Sequence, residues 1–256
     1  MNITLKKTGF FFICALLICN FAAADQFDDW TNLYGSLLKK HVVEGKKRGI
    51  QTTLVKYNDL RNDSEFRKAL YDLARLPSFE TLSSKEDQLA MWINAYNMLI
   101  LKVITENPKI KSIRSLSTPF NTIWKRKAGV VAKQKYSLDE IENEIVRAKF
   151  QDPRAHFALV CASLSCPDLA NYAYQGKYLD DQLSHQASRF LNNKTKGMKI
   201  SSPSKKIYLS KIFKWYSDDF HPSVKGWLHT KDYINVEEEN YSVSYMSYDW
   251  ELNGTN

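Results

Sequence analysis

The chain has 256 residues, with 36 basic and 28 acidic side chains and a formal net charge of +8. The basic residues are spread along the sequence in short clusters. This is typical of a solvated surface, with contact to an anionic envelope surface as a second interpretation. Nothing in the pattern indicates nucleic acid binding, and the length suits one well-packed domain but is tight for two.

The N-terminus has the features of a cleavable signal peptide. Two lysines precede an apolar run over residues 9–18, and an alanine triplet follows it. A retained anchor is not expected, because the run is shorter than the roughly 20 residues that cross a bilayer. We therefore expect a signal peptide over residues 1–24 and cleavage after Ala24. The mature protein is then a periplasmic or secreted domain over residues 25–256 with no integral membrane segment.

Hydrophobic periodicity predicts a helix-rich chain. Ser83 and Ser84 lie three positions before Glu86 and Asp87, and Ser137 lies three before Glu140; these pairs resemble capping boxes and mark two helix starts. In chain order, helices are predicted over residues 26–45, 64–74, 84–106, 138–150 and 178–191, a helix or turn over 212–220, and a last helical stretch between 221 and 229. Strands are predicted over residues 52–57, 133–136, 154–161 and 206–209, with a loop-rich stretch over 112–131. The expected fold is α+β, a single helix-rich domain with a small antiparallel sheet.

The helix that ends near Glu106 is apolar on all sides, which predicts a buried, central helix. Asn94 and Asn97 are three positions apart and share one face. A buried amide without hydrogen-bond partners costs roughly 1–3 kcal/mol, so we expect both side chains to clamp loop backbone. Contact with substrate is the alternative interpretation, and Trp92 would then join them.

The candidate chemistry is concentrated in residues 154–169. The first half alternates like a strand, which would place His156 and Cys161 on opposite faces. Pro167 then marks a helix start, with Cys166 directly before it. A thiol at a helix N-terminus lies at the positive end of the helix dipole, which favours the thiolate.

This arrangement predicts Cys166 as a nucleophile and His156 as its general base. A regular strand excludes Cys161 from pairing with His156, because five residues span about 16 Å at ~3.3 Å per residue. Asp168 beside the thiol would partly oppose its ionisation. Arg154 shares a strand face with His156, so it could anchor a substrate carboxylate or make a structural salt bridge.

Four sequence blocks, in this order, resemble the family catalogued as domain of unknown function 547. They lie at residues 92–97, 137–142, 152–167 and 209–220, within a region of roughly residues 75–225. Members of the family resemble papain-like or transglutaminase-like thiol enzymes. Because the histidine precedes the cysteine here, the reverse of papain's order, that likeness implies a circularly permuted arrangement.

The resemblance also implies site residues. Glu142, in the second block, is the candidate to orient the imidazole, with Asn94 as the second choice. The expected activity is that of a thiol hydrolase or acyltransferase acting on an amide or thioester bond of a small peptide-like substrate. The predicted catalytic residues are Cys166, His156 and Glu142, and the predicted substrate contacts are Arg154, Asn94, Asn97 and Trp92. No cofactor and no metal are expected.

Other interpretations of the same residues stay open. In an oxidising compartment Cys161 and Cys166 could form a disulfide if the turn brings their Cα atoms within about 7 Å, and His156 would then be a hydrogen-bonded core residue. A zinc site built from these three residues lacks a fourth ligand. Redox exchange and serine hydrolysis are less favoured, because the C-x-x-C and G-x-S-x-G patterns are absent from the sequence.

The competing function class is a non-catalytic envelope binding module. Its groove would be lined by the aromatic residues Trp92, Tyr96, Trp215 and Tyr216. An enzyme needs a reduced, partly exposed Cys166 within hydrogen-bond reach of His156. A binding module instead permits a bridged cysteine pair and a buried, hydrogen-bonded histidine. The sequence does not predict an oligomeric state.

Overall fold

The computed structural model describes the backbone of residues 9–255 and the side chains of residues 25–255. The side chains of the expected signal segment, residues 1–24, lie outside the described residues, so its cleavage stays a prediction. Within the part of the chain that is described, no helix has both the length and the apolar character that crossing a bilayer requires.

Helices form most of the domain, and the strands pair into small sheets. The helices are α1 (Gly9–His41), α2 (Tyr57–Asn62), α3 (Ser64–Leu73), α4 (Lys85–Glu106), α5 (Leu179–Leu191), α6 (Ile212–Trp215) and α7 (Val224–Thr230), with a π-helix over Glu140–Phe150. The strands are β1 (Val42–Lys47), β2 (Ile50–Val55), β3 (Lys127–Val131), β4 (Gln134–Ser137), β5 (Met198–Ser201), β6 (Lys206–Leu209) and β7 (Ser242–Tyr245). β1 pairs with β2 and β3 with β4, both antiparallel, while β6 lies between antiparallel β5 and parallel β7. The predicted α+β class with one helix-rich domain is confirmed.

Helix α4 runs through the larger hydrophobic cluster, as its apolar sequence predicts. Its start is fixed by Ser84, whose hydroxyl accepts from the N–H of Asp87 at 3.0 Å. A second cluster, rich in aromatic rings, includes Phe213 and Trp227. The turn at Pro153–Phe157 connects the two clusters, because it contributes Ala155 to the first and Phe157 to the second.

The first helix ends earlier than the sequence predicts. Instead of continuing to residue 45, α1 ends at His41 and the chain enters β1. Arg48 and Gly49, with φ of 51° and 82°, form the two-residue turn into β2. Positive φ at both central residues is the conformation that tight hairpins need. Pairing with β2 therefore provides residues 42–47 with the backbone hydrogen bonds that a longer helix would have formed internally.

The expected strand over residues 154–161 is not formed. Asp152 instead caps a 3-10 turn over Pro153–Phe157, with its Oδ1 accepting from the N–H of Arg154 at 2.9 Å. Residues 155–160 are all buried, so the alternation of side chains does not separate a core face from a solvent face. Cys161 is therefore not separated from His156 by the length of a regular strand.

The expected helix after Pro167 is also absent. Residues 167–175 follow an irregular path, which Asp168 ties to β2. Oδ1 of Asp168 accepts from the hydroxyl of Thr52 at 2.8 Å and from the N–H of Thr53 at 2.9 Å. Cys166 is therefore not at a helix N-terminus, and no helix dipole favours its thiolate.

The asparagines of α4 clamp buried loop backbone. Asn94 donates to the carbonyl of Tyr174 at 2.8 Å and accepts from its N–H at 2.9 Å. Asn97 donates to the carbonyl of Ala158 at 2.9 Å and accepts from the N–H of Val160 at 3.0 Å. The side-chain amides of Asn94 and Asn97 are buried, and each already donates to and accepts from loop backbone. The alternative interpretation, in which they contact substrate, is therefore wrong.

Asn97→Ala is expected to lower the free energy of unfolding by about 2–4 kcal/mol. The change leaves the Ala158 carbonyl and the Val160 N–H buried without partners, at a cost of about 1–3 kcal/mol for each group. Urea denaturation followed by tryptophan fluorescence measures it. Asn62→Ala, which removes an exposed bond to the carbonyl of Asn58, is the control and should cost less than about 0.5 kcal/mol. Similar losses in the two variants would contradict the prediction.

Candidate functional site

A cavity of about 300 Å³ brings together the chemically distinctive residues. His156, Cys161 and Cys166 line it, and Glu142 and Asp139 add carboxylates. Aromatic rings form much of the remaining wall, from Tyr96, Trp124, Trp215, Tyr216, Tyr248 and Trp250. The nucleophile and the base expected from the sequence thus lie around one space.

The imidazole of His156 is held in a fixed orientation. The side chain is buried, and its Nε2 lies 2.6 Å from Oδ2 of Asp219. The ring also stacks on Tyr216, with the two centroids 4.2 Å apart. Since Asp219 engages Nε2, Nδ1 is the nitrogen left for exchange of a proton with another group.

Asp219 lies in the turn Ser217–Asp219 that follows α6. Arg147 of the π-helix donates to both of its carboxylate oxygens, through Nε at 2.6 Å and Nη2 at 2.9 Å. The hydrogen bonds from His156 and Arg147 hold the pKa of Asp219 well below its usual range. An ionised carboxylate at this position orients the imidazole.

Glu142 forms no hydrogen bond with His156, which corrects the expectation that it orients the imidazole. Its carboxylate accepts from the hydroxyl of Tyr96 at 2.9 Å and from that of Tyr216 at 2.7 Å. Burial raises the pKa of both hydroxyls, and the charge of Glu142 raises it further, so both remain donors at neutral pH. Glu142 is thus linked to His156 by way of Tyr216, whose hydroxyl it accepts from and whose ring stacks on the imidazole. Asn94, the second choice, is committed to its backbone clamp.

Cys161 and Cys166 are joined by a disulfide. Their Cα atoms are 5.9 Å apart, within the range of about 4.4–6.8 Å that such bonds require. Ala162 makes this approach by adopting a left-handed conformation with φ of 59°. Cys166 is only 3% exposed, whereas Cys161 is partly exposed. Of the two bridged residues, Cys161 is therefore the more accessible from outside.

Two hydrogen-bond donors point at the sulfur of Cys166. The N–H of Cys161 lies 2.9 Å from Sγ, and the hydroxyl of Tyr248 lies 3.2 Å from it. Burial raises the pKa of Tyr248, so its hydroxyl remains protonated and can donate. These donors would favour a thiolate over a thiol once the disulfide is opened. These donors take the place of the helix N-terminus that the sequence predicted next to Cys166.

The C-terminal segment supplies Tyr248 and Trp250 because it pairs with the cysteine loop. The N–H of Asp249 donates to the hydroxyl of Ser165 at 2.8 Å, and its carbonyl accepts from the N–H of Ser165 at 3.2 Å. Sequence reasoning misses both rings, since the tail after Glu237 has no clear periodicity. The density of aromatic residues in that tail was the available signal.

Sequence reasoning also misses Asp219 and Arg147. Asp219 lies within the block at residues 209–220, so the same kind of signal that selected Glu142 could have selected it. Arg147 carries no comparable signal, because arginines on exposed helix faces are common.

None of the four predicted substrate contacts lines the cavity, and Asn94 and Asn97 are held by their backbone clamps. Arg154 donates to the carboxylate of Asp152 and pairs with Asp180 at 2.7 Å. It therefore makes the structural salt bridge that was the alternative to a substrate contact. Trp92 packs edge-on against Phe79, with centroids 4.8 Å apart. Both side chains support the fold around the site and do not face its ligand space.

Asp168 is engaged by two cations and is not a free charge beside the sulfur. It pairs with Lys196 at 2.7 Å and with Arg189 at 2.8 Å. Although burial raises the pKa of Asp168, the charges and hydrogen bonds of Lys196 and Arg189 outweigh it and lower that pKa below its usual range. The expected opposition to ionisation of Cys166 is therefore largely offset.

The alternative zinc site is not formed by the described side chains. No group of three or more histidine, cysteine, aspartate or glutamate side chains within residues 25–255 is arranged to hold a metal ion. The two sulfurs are joined in a disulfide, and Nε2 of His156 is hydrogen-bonded to Asp219, so these atoms are engaged within the protein.

Comparison with protein families provides an assignment for part of the chain. The family model described as protein of unknown function, DUF547, matches residues 79–191. The chain carries a DUF547 domain. The matched region includes three of the four blocks that carry the resemblance, and the block at residues 209–220 lies beyond it. Comparisons with curated proteins and with solved structures each found no match.

The DUF547 domain supplies only part of the site. His156, Glu142 and both cysteines lie within the matched region, whereas Asp219 and Tyr248 follow it in the chain. The likeness to papain-like enzymes stays a prediction.

Asp219→Asn is expected to lower stability at pH 7 and to remove part of the acid sensitivity of the fold. The native pKa of Asp219 is below its unfolded value of about 3.9. Its stabilising contribution is therefore present above that value and is lost as the pH falls towards the depressed native pKa. Between about pH 5 and pH 2 the wild type should lose more unfolding free energy than the variant, as measured by urea denaturation.

Asp218→Asn is the matched control, since the Asp218 carboxylate bonds the exposed hydroxyl of Ser217. Asp63 and Asp168 also have lowered pKa values, so the variant should keep some acid sensitivity. Identical pH slopes for wild type and Asp219→Asn would refute the assigned role of Asp219.

Proposed function

We propose that the cavity is the active site of a thiol hydrolase or acyltransferase that acts on an amide or thioester bond of a small peptide-like substrate. The supporting observation is that Cys166 and the Asp219-held imidazole of His156 line one cavity. A sulfur nucleophile needs a base that takes its proton and a third group that orients the base. In this proposal those roles belong to Cys166, His156 and Asp219.

The disulfide must open before Cys166 can react. Thiol–disulfide exchange starts when an external thiolate attacks an accessible sulfur. A small dithiol would attack Sγ of Cys161, forming a mixed disulfide there and breaking the bond to Cys166, which keeps the electron pair as a thiolate. The second thiol of the reductant would then displace Cys161. The backbone N–H of Cys161 donates to Sγ of Cys166 and favours it as the leaving group, whereas the hydroxyl of Tyr248 lies within reach of both sulfurs.

In this proposal the acyl transfer uses the same three residues. Nδ1 of His156 takes the proton of the Cys166 thiol, the thiolate attacks the carbonyl carbon, and the imidazolium gives that proton to the leaving amine or thiolate. A thioester acyl-enzyme forms. Water or another acceptor then attacks the thioester carbonyl while His156 takes the acceptor's proton, and Cys166 leaves as a thiolate that regains this proton. Asp219 keeps the ring in place and offsets the charge of the imidazolium through both steps.

The proposal includes export directed by the segment at residues 1–24. In an oxidising compartment the Cys161–Cys166 bridge would be the resting state. Activity would then depend on the local supply of a thiol reductant.

Cys161→Ser tests the proposal, because it leaves Cys166 unpaired without a reductant. Cys166 should react with iodoacetamide at pH 6 at least about tenfold faster than an ordinary cysteine, since lowering a thiol pKa by one unit raises the thiolate fraction about tenfold. Peptide mapping by mass spectrometry separates this cysteine from Cys14 and Cys19. The same variant should hydrolyse small thioesters.

The controls separate position from general reactivity. Cys166→Ser leaves Cys161 free and should label with a pH midpoint near about 8.5. His156→Gln in the Cys161→Ser background should slow labelling of Cys166 about tenfold, whereas His185→Gln, on an exposed position of α5, should not. Ordinary labelling kinetics at Cys166, or no effect of His156→Gln, would rule out the thiol enzyme.

The second candidate is a non-catalytic binding module of the envelope. It is favoured by the disulfide and by the burial of Cys166 and His156, which are 3% and 5% exposed. In this alternative the bridge holds the loop at the floor of the cavity, and the aromatic wall binds a ligand without turnover.

For a structural disulfide, the double variant Cys161→Ala/Cys166→Ala should lose about 2 kcal/mol of unfolding free energy, the entropy expected for so short a closed loop. Chemical denaturation measures this loss. Ligand binding should survive in the folded double variant, and thioester hydrolysis should be absent from the reduced wild type. Cys166-dependent hydrolysis would eliminate the binding-module alternative.

A further inference from the structure

The charge of the cavity is opposite to that of the chain. The chain has a net charge of +8, yet Asp139 and Glu142 line the cavity and, among the described residues, no lysine or arginine does. Glu142 accepts from neutral tyrosine hydroxyls, and Asp139 accepts from the neutral amide of Asn143 at 2.8 Å. The guanidinium carbon of Arg147 lies 4.9 Å from the centroid of Tyr216, a ring of the cavity wall, but this cation is paired with both oxygens of Asp219 and lines an adjoining cavity. The two carboxylates thus leave negative charge in the ligand space.

The aromatic wall is suited to cations. The rings of Trp215, Tyr248 and Trp250 lie with their centroids 4.7 to 5.7 Å apart. A cation within about 6 Å of such a ring is attracted by the negative face of its π-system. Trp250 already contacts a cation of the protein, because the guanidinium carbon of Arg114 lies 5.0 Å from its centroid, so the rings left for a ligand are those of Trp215 and Tyr248. Trp215 keeps 45% of its surface exposed and so has ring surface free for a ligand.

We propose that the cavity selects a substrate with a cationic head, an alkylammonium or guanidinium group, bound between these rings and the carboxylates of Asp139 and Glu142. The inference rests on the proposed function for the reacting bond, which would lie beside the head and within reach of Cys166. The volume of about 300 Å³ is at the small end of the range of about 300–1,000 Å³ for small-molecule sites. It fits a small molecule or one long side chain.

Calorimetric titration of the disulfide-bonded chain tests this selection. Choline and its neutral isostere 3,3-dimethylbutan-1-ol have nearly the same shape and differ in charge. Choline should bind at least about tenfold more tightly, because the rings and the carboxylates attract only the charged ligand. Added sodium chloride should weaken choline binding and leave the isostere unchanged. Equal affinities, or no binding of choline, would overturn the inference.

Variants that remove charge but keep shape locate the effect. Glu142→Gln and Asp139→Asn should each weaken choline binding about threefold to tenfold without changing the affinity of the isostere. Glu144→Gln, at an exposed position of the same π-helix, is the matched control and should change neither. An equal loss for both ligands in the Glu142 and Asp139 variants would mean that shape, not charge, selects the ligand, and the inference would fail.

Turnover separates this inference from the proposed function. The Cys161→Ser chain is given acetylthiocholine and its neutral isostere 3,3-dimethylbutyl thioacetate, and kcat/KM is compared. A preference of about tenfold for the charged thioester is expected. If Cys166-dependent hydrolysis proceeds at the same rate for both thioesters, cation selection is overturned and the proposed thiol-enzyme function is retained. If choline binds tightly but neither thioester is hydrolysed, cation selection is retained and the proposed thiol-enzyme function is rejected.

Discussion

The segment of residues 158–166, buried except at Cys161, belongs to no helix and no extended sheet, so other parts of the chain must satisfy its backbone hydrogen bonds. Asn97 of the central helix bonds one end of the segment, and the C-terminal segment bonds the loop around Ser165. The tail that covers the loop also brings Tyr248 and Trp250 into the cavity wall. The need to satisfy one irregular segment thus determines where the aromatic wall and the disulfide lie.

Two carboxylates act on the imidazole in different ways. Asp219 bonds it directly and is itself paired with Arg147, so its charge is offset. Glu142 lies on the other side of Tyr216, whose hydroxyl it binds and whose ring stacks on His156. The result is a fixed imidazole in a cavity that keeps negative charge, inside a basic chain. The two proposed functions share this cavity and differ in whether the disulfide ever opens.

Much of the secondary structure follows from local sequence. The apolar helix α4 and its cap at Ser84 are where the pattern predicts them, and so are strand β6 and the start of the π-helix, where Ser137 and Glu140 bond each other reciprocally. These features depend on neighbours within a few residues. The strand predicted over residues 154–161 was wrong. Residues 155–160 are all buried, so the alternation of their side chains does not distinguish a core-facing side from a solvent-facing side.

The sequence by itself determined the chemistry available, an imidazole and two sulfurs in one short segment, because the reactivity of a side chain belongs to its type. It also indicated that the asparagines of α4 would clamp backbone. Only the tertiary structure decided the partners. Asp219 lies 63 residues from His156, and Tyr248 lies 82 residues from Cys166. Contacts between such distant segments depend on how the whole core packs, and short-range periodicity carries no record of that packing.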